Sequence, residues 1–409
     1  MTSIQQYDVV IVGGGMVGAS LSLLLSPLMQ QGVSVALVDQ HPFSSQTLHQ
    51  PSFDDRTTAL SLGTKRILED IHVWPLLDRS ATPIEHIQVS QQHKFGRVRL
   101  HAKESQVDAM GYVVENAVIG QGLISGLQRL EGLTQFAPAH VEQYEVMEHR
   151  TRLHLECDGE KRIIQAGLLI LADGANSQGC RQLGVMQTKL DYQQKAVVCN
   201  VSFDRPHDQW AYERFTSQGP LALLPMSQNR FAVVWCNDTD RADHLVSLSD
   251  ADFQTELQSV VGYDKGRIVK VGERFSYPLA LVKAQEQVRR NLVVLGNAAH
   301  ALHPVAGQGF NLALRDALCL AEVLIEAHRN GDELGDVSIL SYYQRRQTQD
   351  QAVTIGMSHA LPVSFMQEGL HWSILRGLAM TAMDLVPTAK QLFANQAMGL
   401  VGKSSAWRP

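Results

Sequence analysis

The chain has 409 residues, of which 44% are hydrophobic and 19% charged, an ordinary composition for a globular protein with more than one lobe. Its formal net charge of −6 and the lack of a Lys/Arg-rich run argue against nucleic-acid binding. The sequence opens without a basic, apolar leader and has no apolar stretch of roughly 18 residues. We therefore expect a cytoplasmic protein with neither a signal peptide nor a spanning helix.

The cysteines are far apart in sequence and form no C-x-x-C pair; they are Cys157, Cys180, Cys199, Cys236 and Cys319. This spacing predicts reduced, buried thiols rather than a disulfide framework.

The N-terminal segment predicts a strand followed by a glycine-rich turn. Residues 9–12 are β-branched and typical of a strand buried on both faces of a parallel sheet. Gly13, Gly15 and Gly18 follow at once. In a dinucleotide-binding turn the first glycine permits the tight bend, the second lets the backbone approach a pyrophosphate, and the third lets helix and strand pack closely. A fortuitous glycine turn is the alternative.

The next elements favour the dinucleotide interpretation. Leucines at helical spacing predict a helix over residues 19–29, and residues 33–38 predict a second buried strand that ends at Asp39. An acidic residue about 20 positions after the last glycine is placed to accept a hydrogen bond from an adenosine ribose hydroxyl.

The middle of the chain predicts an inserted lobe. After a polar loop over residues 41–52, period-two patterns over 84–100 and 195–237 predict antiparallel strands. Between them we expect a helix over residues 121–130 and a buried strand over 168–171 that leads into Asp173-Gly174.

A last buried strand is predicted over residues 291–295, and a helical tail begins near residue 341. In the tail, apolar residues at near-helical spacing precede Pro387. Two interpretations stay open: a helix packed on its own protein or on a partner subunit, and an interfacial helix that rests on a membrane.

Between that strand and the tail, residues 296–311 read Gly-Asn-Ala-Ala-His-Ala-Leu-His-Pro-Val-Ala-Gly-Gln-Gly-Phe-Asn. Glycines and small residues at this point open a helix aimed at a large, flat, electron-poor group. Together with the N-terminal glycines, this segment indicates a flavoprotein. His300 and His303 have no third ligand nearby in sequence, so we expect no metal.

The order of these three motifs resembles the single-component FAD monooxygenases typified by para-hydroxybenzoate hydroxylase. Residues 53–61, 213–226 and 296–304 are more closely similar to the bacterial ubiquinone-biosynthesis hydroxylases, in particular those acting on 2-polyprenyl-6-methoxyphenol. The resemblance implies an α/β fold: a Rossmann-type FAD-binding domain with an inserted antiparallel β-sheet substrate domain and a C-terminal helical region. It places the FAD-binding domain at residues 1–82, 105–180 and 288–345, the β-rich domain at 83–104 and 181–287, and the helical region at 346–409.

The resemblance also implies which residues bind FAD. Those expected at the pyrophosphate, ribose and ribityl chain are Gly13, Gly15, Gly18, Asp39, Arg56, Asp173, Gly174 and Asn297. Those expected on the flavin side or against the isoalloxazine ring are Gln121, Pro304, Gly307, Gln308, Gly309 and Asn311. Asp173 and Gly174 belong to a motif that also serves the nicotinamide donor.

Two positions depart from the wider class. Asn297 stands where most members have Asp, so the hydrogen-bond acceptor oxygen is kept and the negative charge of the carboxylate is lost. Cys180 stands where the mid-chain motif usually has Arg, and Arg181 comes one residue later.

The function implied by the resemblance is hydroxylation of an aromatic ring with FAD, NAD(P)H and O₂, through a C4a-hydroperoxyflavin. The expected substrate is a polyprenylated phenol, bound near residues 213–226. Other quinone-biosynthesis proteins are expected partners, with peripheral contact at the inner membrane. Catalytic acid–base residues are not identified. The alternatives are a sibling hydroxylase for another ring position or another aromatic substrate, a flavin dehydrogenase or reductase of the same fold, and a flavin-retaining scaffold subunit.

Overall fold

The computed structural model describes residues 4–44, 56–304, 307–366 and 370–400. Residues 53–55 of the family-like motif, residues 305–306 of the late glycine segment and the end of the tail lie outside these ranges. The fold is the mixed α/β arrangement that the sequence predicts.

The first sheet has a parallel centre. Its strands are β1 (Gln5–Val12), β2 (Val35–Val38), β8 (Leu133–Phe136), β9 (Ala139–Val146), β10 (Thr151–Cys157), β11 (Glu160–Leu171), β18 (Val288–Arg289) and β19 (Leu292–Val294). The order is β18-β19-β11-β1-β2-β8, in which β19, β11, β1, β2 and β8 run parallel. Strands β10 and β9 extend β11 as an antiparallel meander. The strand predicted over residues 168–171 is longer in the structure and begins eight residues earlier, at Glu160. The prediction missed this part because charged residues there interrupt the apolar pattern.

Helices cover this sheet; they are α1 (Met16–Leu24), α2 (Ser26–Gln30), α3 (Leu62–Asp70), α4 (Trp74–Leu77), α5 (Asn116–Arg129), α6 (Gln178–Gln182), α9 (Gln308–Asn330) and α10 (Val337–Met366). The predicted helix over 19–29 is two helices that meet at Leu25. Pro27 explains the break, because it has no N–H to donate to Leu23 and is instead suited to a first helical turn.

The second sheet is largely antiparallel, with the order β20-β17-β12-β15-β14-β13-β5-β6. Its strands are β5 (His86–Gln91), β6 (Arg97–His101), β12 (Gln187–Phe203), β13 (Trp210–Phe215), β14 (Pro220–Met226), β15 (Arg230–Asp238), β16 (Ile268–Val271), β17 (Phe275–Ala284) and β20 (His300–Ala301), with β16 paired to β12. Helices α7 (Thr239–Ser247) and α8 (Asp250–Val261), which the sequence analysis did not predict, pack their apolar side chains on one face.

A small third sheet lies between the two large ones, with the order β3-β7-β4. Its strands are β3 (Thr57–Ser61), β4 (Thr82–Ile84) and β7 (Gly111–Glu115). The predicted β-rich stretch over 84–100 is thus divided, because Ile84 ends a strand of this sheet whereas β5 and β6 join the second sheet. We propose that the FAD-binding and β-rich domains divide at the boundaries that the resemblance implies. The pairing of β5 with β13 supports this division, because it joins residues of the first inserted segment to the second sheet.

The C-terminal region continues beyond α10 with helices α11 (Leu370–Leu385) and α12 (Pro387–Ala397), where a helical tail is predicted. Among the residues with described structure, no helix combines the length and the apolar character needed to cross a bilayer.

Candidate active site

The parallel strands of the first sheet bring distant motifs to one edge. Strands β1, β2, β11 and β19 end at Val12, Val38, Leu171 and Val294. Each is followed within three residues by a predicted site segment, and carboxyl ends of parallel strands share an edge of the sheet. The strand order therefore gathers residues that are almost 300 positions apart in sequence.

These strand ends line a cleft of about 400 Å³. The predicted site residues that it contains are Gly13, Gly15, Asp39, Asp173, Gly174 and Asn297. Lining residues that the sequence analysis did not single out include His41, His140, Tyr144, Gln178, Phe310 and Ala313. Most of these come from loops and helix faces without a local motif, so only the strand topology could have revealed them.

Gly13 and Gly18 have the close backbone approaches that the sequence predicts. Gly13 has a φ of 102°, and a side chain there would collide with the carbonyl oxygen of Ala172. A side chain at Gly18 would collide with the carbonyl oxygen of Gly13. Both glycines thus keep the first turn tight and leave the N-terminus of α1 open to the cleft.

The carboxylate of Asp39 lies at the end of β2 and faces the glycine turn. Its Oδ2 accepts a hydrogen bond of 2.6 Å from the Gly14 N–H, and its Oδ1 accepts one of 2.8 Å from the His41 N–H. The side chain is 11% exposed, which leaves an edge open to the cleft. A carboxylate held in this way can still accept a ligand hydroxyl.

Asp173 is the second acid of the cleft, and it is half-buried. Burial raises the pKa of its carboxyl group, and hydrogen bonds from Ser177 and the Gly179 N–H oppose that rise. Its Oδ2 accepts from Gly179 at 3.2 Å, whereas its buried Oδ1 has no hydrogen-bond partner within the described ranges. A buried acceptor without a partner is costly, so it suits a ligand that brings hydroxyl or amide donors.

The chain turns into helix α9 at Pro304 and Gly307, and we call these residues and the first turn of α9 the bend. Gly307 adopts a left-handed conformation with a φ of 59°, and its N–H donates to the carbonyl of Pro304 at 3.0 Å. No side chain of the described residues caps the helix, so its first N–H groups can serve an acceptor. A side chain at Gly309 would meet no atom within 4 Å, whereas the side chain of Gln308 is half-buried.

Asn311 anchors this bend to the small third sheet. Its Nδ2 donates to the carbonyls of Ala59 and Gly307, both at 2.8 Å, and its Oδ1 accepts from the Ser61 N–H at 2.8 Å. The side chain is thus fully engaged within the protein, and any contact that Asn311 makes with a flavin is through its backbone.

Two predicted residues belong neither to the glycine turn, nor to the cleft, nor to the bend. Arg56 precedes β3, and its guanidinium lies over the Tyr277 ring at 4.6 Å from the centroid. Gln121 is exposed on helix α5. Contact of either residue with FAD stays a prediction.

A buried polar chain fixes the strand before the bend. His300 Nε2 lies 2.6 Å from Asp316 Oδ2, and both side chains are essentially inaccessible. Gln351 Nε2 donates to the same oxygen at 3.0 Å and also bonds Gln287. Strand β20 and helices α9 and α10 are thereby connected. The sequence analysis missed this chain, because its members are far apart in sequence.

A second cluster of titratable groups joins the bend to the second sheet and to helix α10. The Tyr192 ring packs edge-on against His303, 5.2 Å between centroids, and its hydroxyl lies 3.0 Å from His359 Nδ1. Burial, and secondarily the charge of His359, lowers the pKa of His303 to about 4. His303 is therefore neutral near pH 7.

The FAD binding domain family matches residues 6–355 of the chain. The chain is 35% identical to the ubiquinone hydroxylase UbiL of Rhodospirillum rubrum, over 96% of this chain and 89% of that protein. The chain belongs to this family of FAD-dependent hydroxylases. It is also 28% identical to the 3-demethoxyubiquinol 3-hydroxylase of Escherichia coli, over 97% and 99% of the two chains. The p-nitrophenol 4-monooxygenase PnpA of Pseudomonas putida shares the fold, with a TM-score of 0.78 at 16% identity over 98% and 100% of the chains.

This FAD-dependent monooxygenase has a cleft whose chemistry fits the cofactor. The glycine turn leaves room for a pyrophosphate beside the start of α1, and Asp39 offers an acceptor for a ribose hydroxyl. The Asp173 Oδ1 lacks a partner in the described structure and suits a hydroxyl-rich chain. NAD(P)H is the electron donor typical of the family.

Proposed function

We propose that this enzyme hydroxylates the ring of a polyprenylated methoxyphenol in ubiquinone biosynthesis. The observation that carries the proposal is the 35% identity to a ubiquinone hydroxylase along 96% of the chain. It is supported by a cleft and a helix-opening bend that together fit FAD. Bound FAD, once reduced, activates O₂ for electrophilic attack on an aromatic ring.

We assign the two ends of the cofactor to different parts of the chain. The residues that would hold its nucleotide half and ribityl chain are Gly13, Gly15, Gly18, Asp39, Asp173, Gly174 and Asn297. The residues that would lie beside the ring are Pro304, Gly307, Gln308, Gly309 and Asn311. At the bend, uncapped N–H groups of α9 would stabilise negative charge on the reduced ring.

The substrate ring is assigned to the face of the second sheet opposite helices α7 and α8. Register places Glu213, Ala222 and Val234 side by side on that face. The small third sheet packs beside this face through Ile84 and Val113, and Ala59 of that sheet lies against Gly307. The predicted ring-binding segment over residues 213–226 supplies two of these three positions.

Ring attack is faster when the phenol is deprotonated, so a proton must leave the pocket. We assign that path to Tyr192 and His359. The Tyr192 hydroxyl lies 3.0 Å from Nδ1 of the half-buried His359, and the buried His303 packs against the Tyr192 ring. A proton can pass from Tyr192 to His359 toward the surface without opening the pocket to water.

A polyprenyl chain favours burial by about 0.8 kcal/mol for each CH₂ group, so such a substrate resides in a bilayer. We propose that the enzyme meets it there, as a peripheral protein at the inner membrane, alongside other proteins of the same biosynthetic route.

The test is a lipid extract from cells that lack this protein, with quinone intermediates identified by mass. Accumulation of a polyprenyl methoxyphenol that lacks one ring oxygen supports the proposal and fixes the position attacked. Accumulation of a demethoxyubiquinol would instead assign the ring position given in the name of the Escherichia coli relative. An unchanged quinone profile would overturn the proposal.

A further inference from the structure

Helix α11 turns its apolar side chains away from the protein. The large hydrophobic residues exposed along it are Trp372, Ile374, Leu375, Leu378 and Leu385. Leu375 is 57% exposed and Leu385 is 73% exposed. Successive spacings of three and seven residues place Leu375, Leu378 and Leu385 on one side of the helix. Ala379 and Ala382 fill the positions between them and are also exposed.

Apart from the exposed His371, the described polar side chains of α11 are engaged with the protein: Arg376 Nη1, for example, donates to the Ser364 carbonyl of α10 at 2.6 Å. Asp384 Oδ1 accepts a hydrogen bond of 2.9 Å from the Arg99 N–H of strand β6. Ser373 is buried, and Thr381 bonds the carbonyl of Gly377 at 2.8 Å. Helix α11 therefore has a polar side toward the protein and an apolar side toward solvent. An exposed apolar stripe of this size marks an interaction surface.

The β5–β6 hairpin extends this surface. At its tip Phe95 is 52% exposed, and its ring lies against Gly377 of α11. Lys94 and Arg97 flank Phe95 and are exposed, and Arg376 lies on the helix itself. We name the outward side of α11 together with residues 94–97 the apolar face.

Within the apolar face, the charged side chains that the structure describes as exposed, those of Lys94 and Arg97, are both cationic. From Gln351 to Met383 the sequence contains two charged residues, Glu368 and Arg376, and Glu368 lies outside the described residues. The nearest described carboxylate of the helix, that of Asp384, is engaged with β6. An apolar stripe with a cationic border complements an anionic lipid surface.

We infer that the apolar face docks on an anionic lipid bilayer. The choice of lipid as the occupant rests on the proposed function, because the proposed substrate resides in a bilayer. A symmetric dimer through the same face would bring the exposed Lys94 and Arg97 of two copies together, so that like charges oppose each other. The border charge thus favours lipid over a second copy.

Docking in this orientation would connect the bilayer to the ring pocket through apolar side chains. One hydrophobic cluster includes Met380 and Met383 of α11, Phe365 of α10 and Phe215 of β13. The Phe365 and Phe215 rings stack with centroids 3.9 Å apart. Phe215 lies on the strand that carries Glu213, so the cluster packs α11 and α10 against the strand of the proposed ring pocket.

The experiment is co-flotation of the FAD-loaded full chain with vesicles of phosphatidylcholine, with and without phosphatidylglycerol. The test variant is L375Q/L378Q, and the matched control is V146Q, a substitution of an apolar residue that is 70% exposed on the first sheet. We expect the wild type and the control to bind the anionic vesicles and the test variant to bind at least about tenfold less. K94Q/R97Q should weaken binding to anionic vesicles only, as should added salt.

Unchanged melting temperature and FAD content in L375Q/L378Q would show that the variant is folded. Failure of the wild type to float, or equal flotation of wild type and test variant, would overturn the inference. So would a wild-type dimer in sedimentation that L375Q/L378Q converts to a monomer. Turnover of a short-chain, water-soluble phenol without vesicles tests the proposed function separately, since it requires no docking.

Discussion

The nucleotide cleft and helix α11 differ in how their sequence relates to their surface. In the cleft, each motif follows directly after its own strand, and parallel pairing of β1, β2, β11 and β19 brings the motifs together. On α11, the apolar periodicity is equally clear in sequence, but packing turns the apolar side outward. A motif that the backbone conformation requires can therefore be assigned from sequence. Whether a hydrophobic stripe belongs to the core or to an interaction surface depends on what packs against it.

The two regions also differ in whether the backbone or the side chains carry the function. Gly13 acts through the absence of a side chain, a property independent of its surroundings. Leu375 and Leu378 act through exposed area, which depends on how the rest of the chain packs. Substitutions in the two regions should accordingly affect different measurements, cofactor binding in one and surface association in the other.

The largest effect is expected in the cleft. G13V should lower FAD affinity at least about 1,000-fold, or roughly 4 kcal/mol, because the added side chain collides with Ala172 and disfavours a φ of 102°. Titration of the apoprotein with FAD, followed by flavin fluorescence, measures it. The control is G32A, at a glycine of φ 91° where a side chain meets no atom within 4 Å. Equal FAD affinity in G13V and wild type would contradict the account of the glycine turn.

The next effect concerns the buried chain that connects the bend to α9 and α10. D316N should destabilise the protein by about 3 kcal/mol, because His300 loses its carboxylate partner. Both side chains are buried, so water cannot replace that contact. Urea unfolding measures the change. E160Q alters an exposed pair with Arg162 and should cost less than about 1 kcal/mol. Similar values for the two variants would show that the buried pair does not hold the bend.

A pH dependence follows from His303. Its folded-state pKa of about 4 lies below the ordinary value of 6.5, because burial and the nearby His359 disfavour the cation. The unfolded chain therefore binds the extra proton between these values, and stability falls as pH drops from about 6.5 to about 4. At pH 5 the loss from this residue should be about 2 kcal/mol.

Urea unfolding at several pH values checks this prediction. H303Q should lose less stability than the wild type across that pH range, whereas H149Q, at an exposed position, should follow the wild type. Parallel curves for H303Q and the wild type would contradict the assigned cause.

The smallest effect is expected at Tyr192. Y192F removes the hydroxyl that bonds His359 and should lower kcat about tenfold, or roughly 1.4 kcal/mol, with little change in KM. The defect should shrink at high pH, where the phenol ionises without help. A pH-independent defect would assign Tyr192 a packing role. Y342F, at an exposed tyrosine on α10, is the matched control.

The sequence was sufficient to predict the flavoprotein fold and the motifs at the strand ends that line the cleft. Gly13, Asp39 and Asp173 follow buried β-branched or leucine-rich strands, whose short apolar runs are readable without a structure. The helices α7 and α8 were missed because they lie within a predominantly β pattern.

The buried chain around Asp316 and the cluster around Tyr192 were not predictable. Bonded partners in the chain around Asp316 are 16 to 64 residues apart, and Tyr192 is 167 residues from His359. Each residue alone is consistent with an ordinary core or surface position. Only tertiary packing brings them together. The departure at Asn297 was visible in sequence, but its effect on FAD depends on a cleft that the structure supplies.

Tracing the oxygen atom would show whether this chain is a ring hydroxylase in which FAD activates O₂. The purified FAD-loaded enzyme is given NAD(P)H, isotopically heavy O₂ and a polyprenyl methoxyphenol, and the product is analysed by mass. The account predicts one heavy oxygen atom on the product ring, with NAD(P)H oxidised in proportion. Oxidation of NAD(P)H that yields only hydrogen peroxide, with the phenol unchanged, would contradict it.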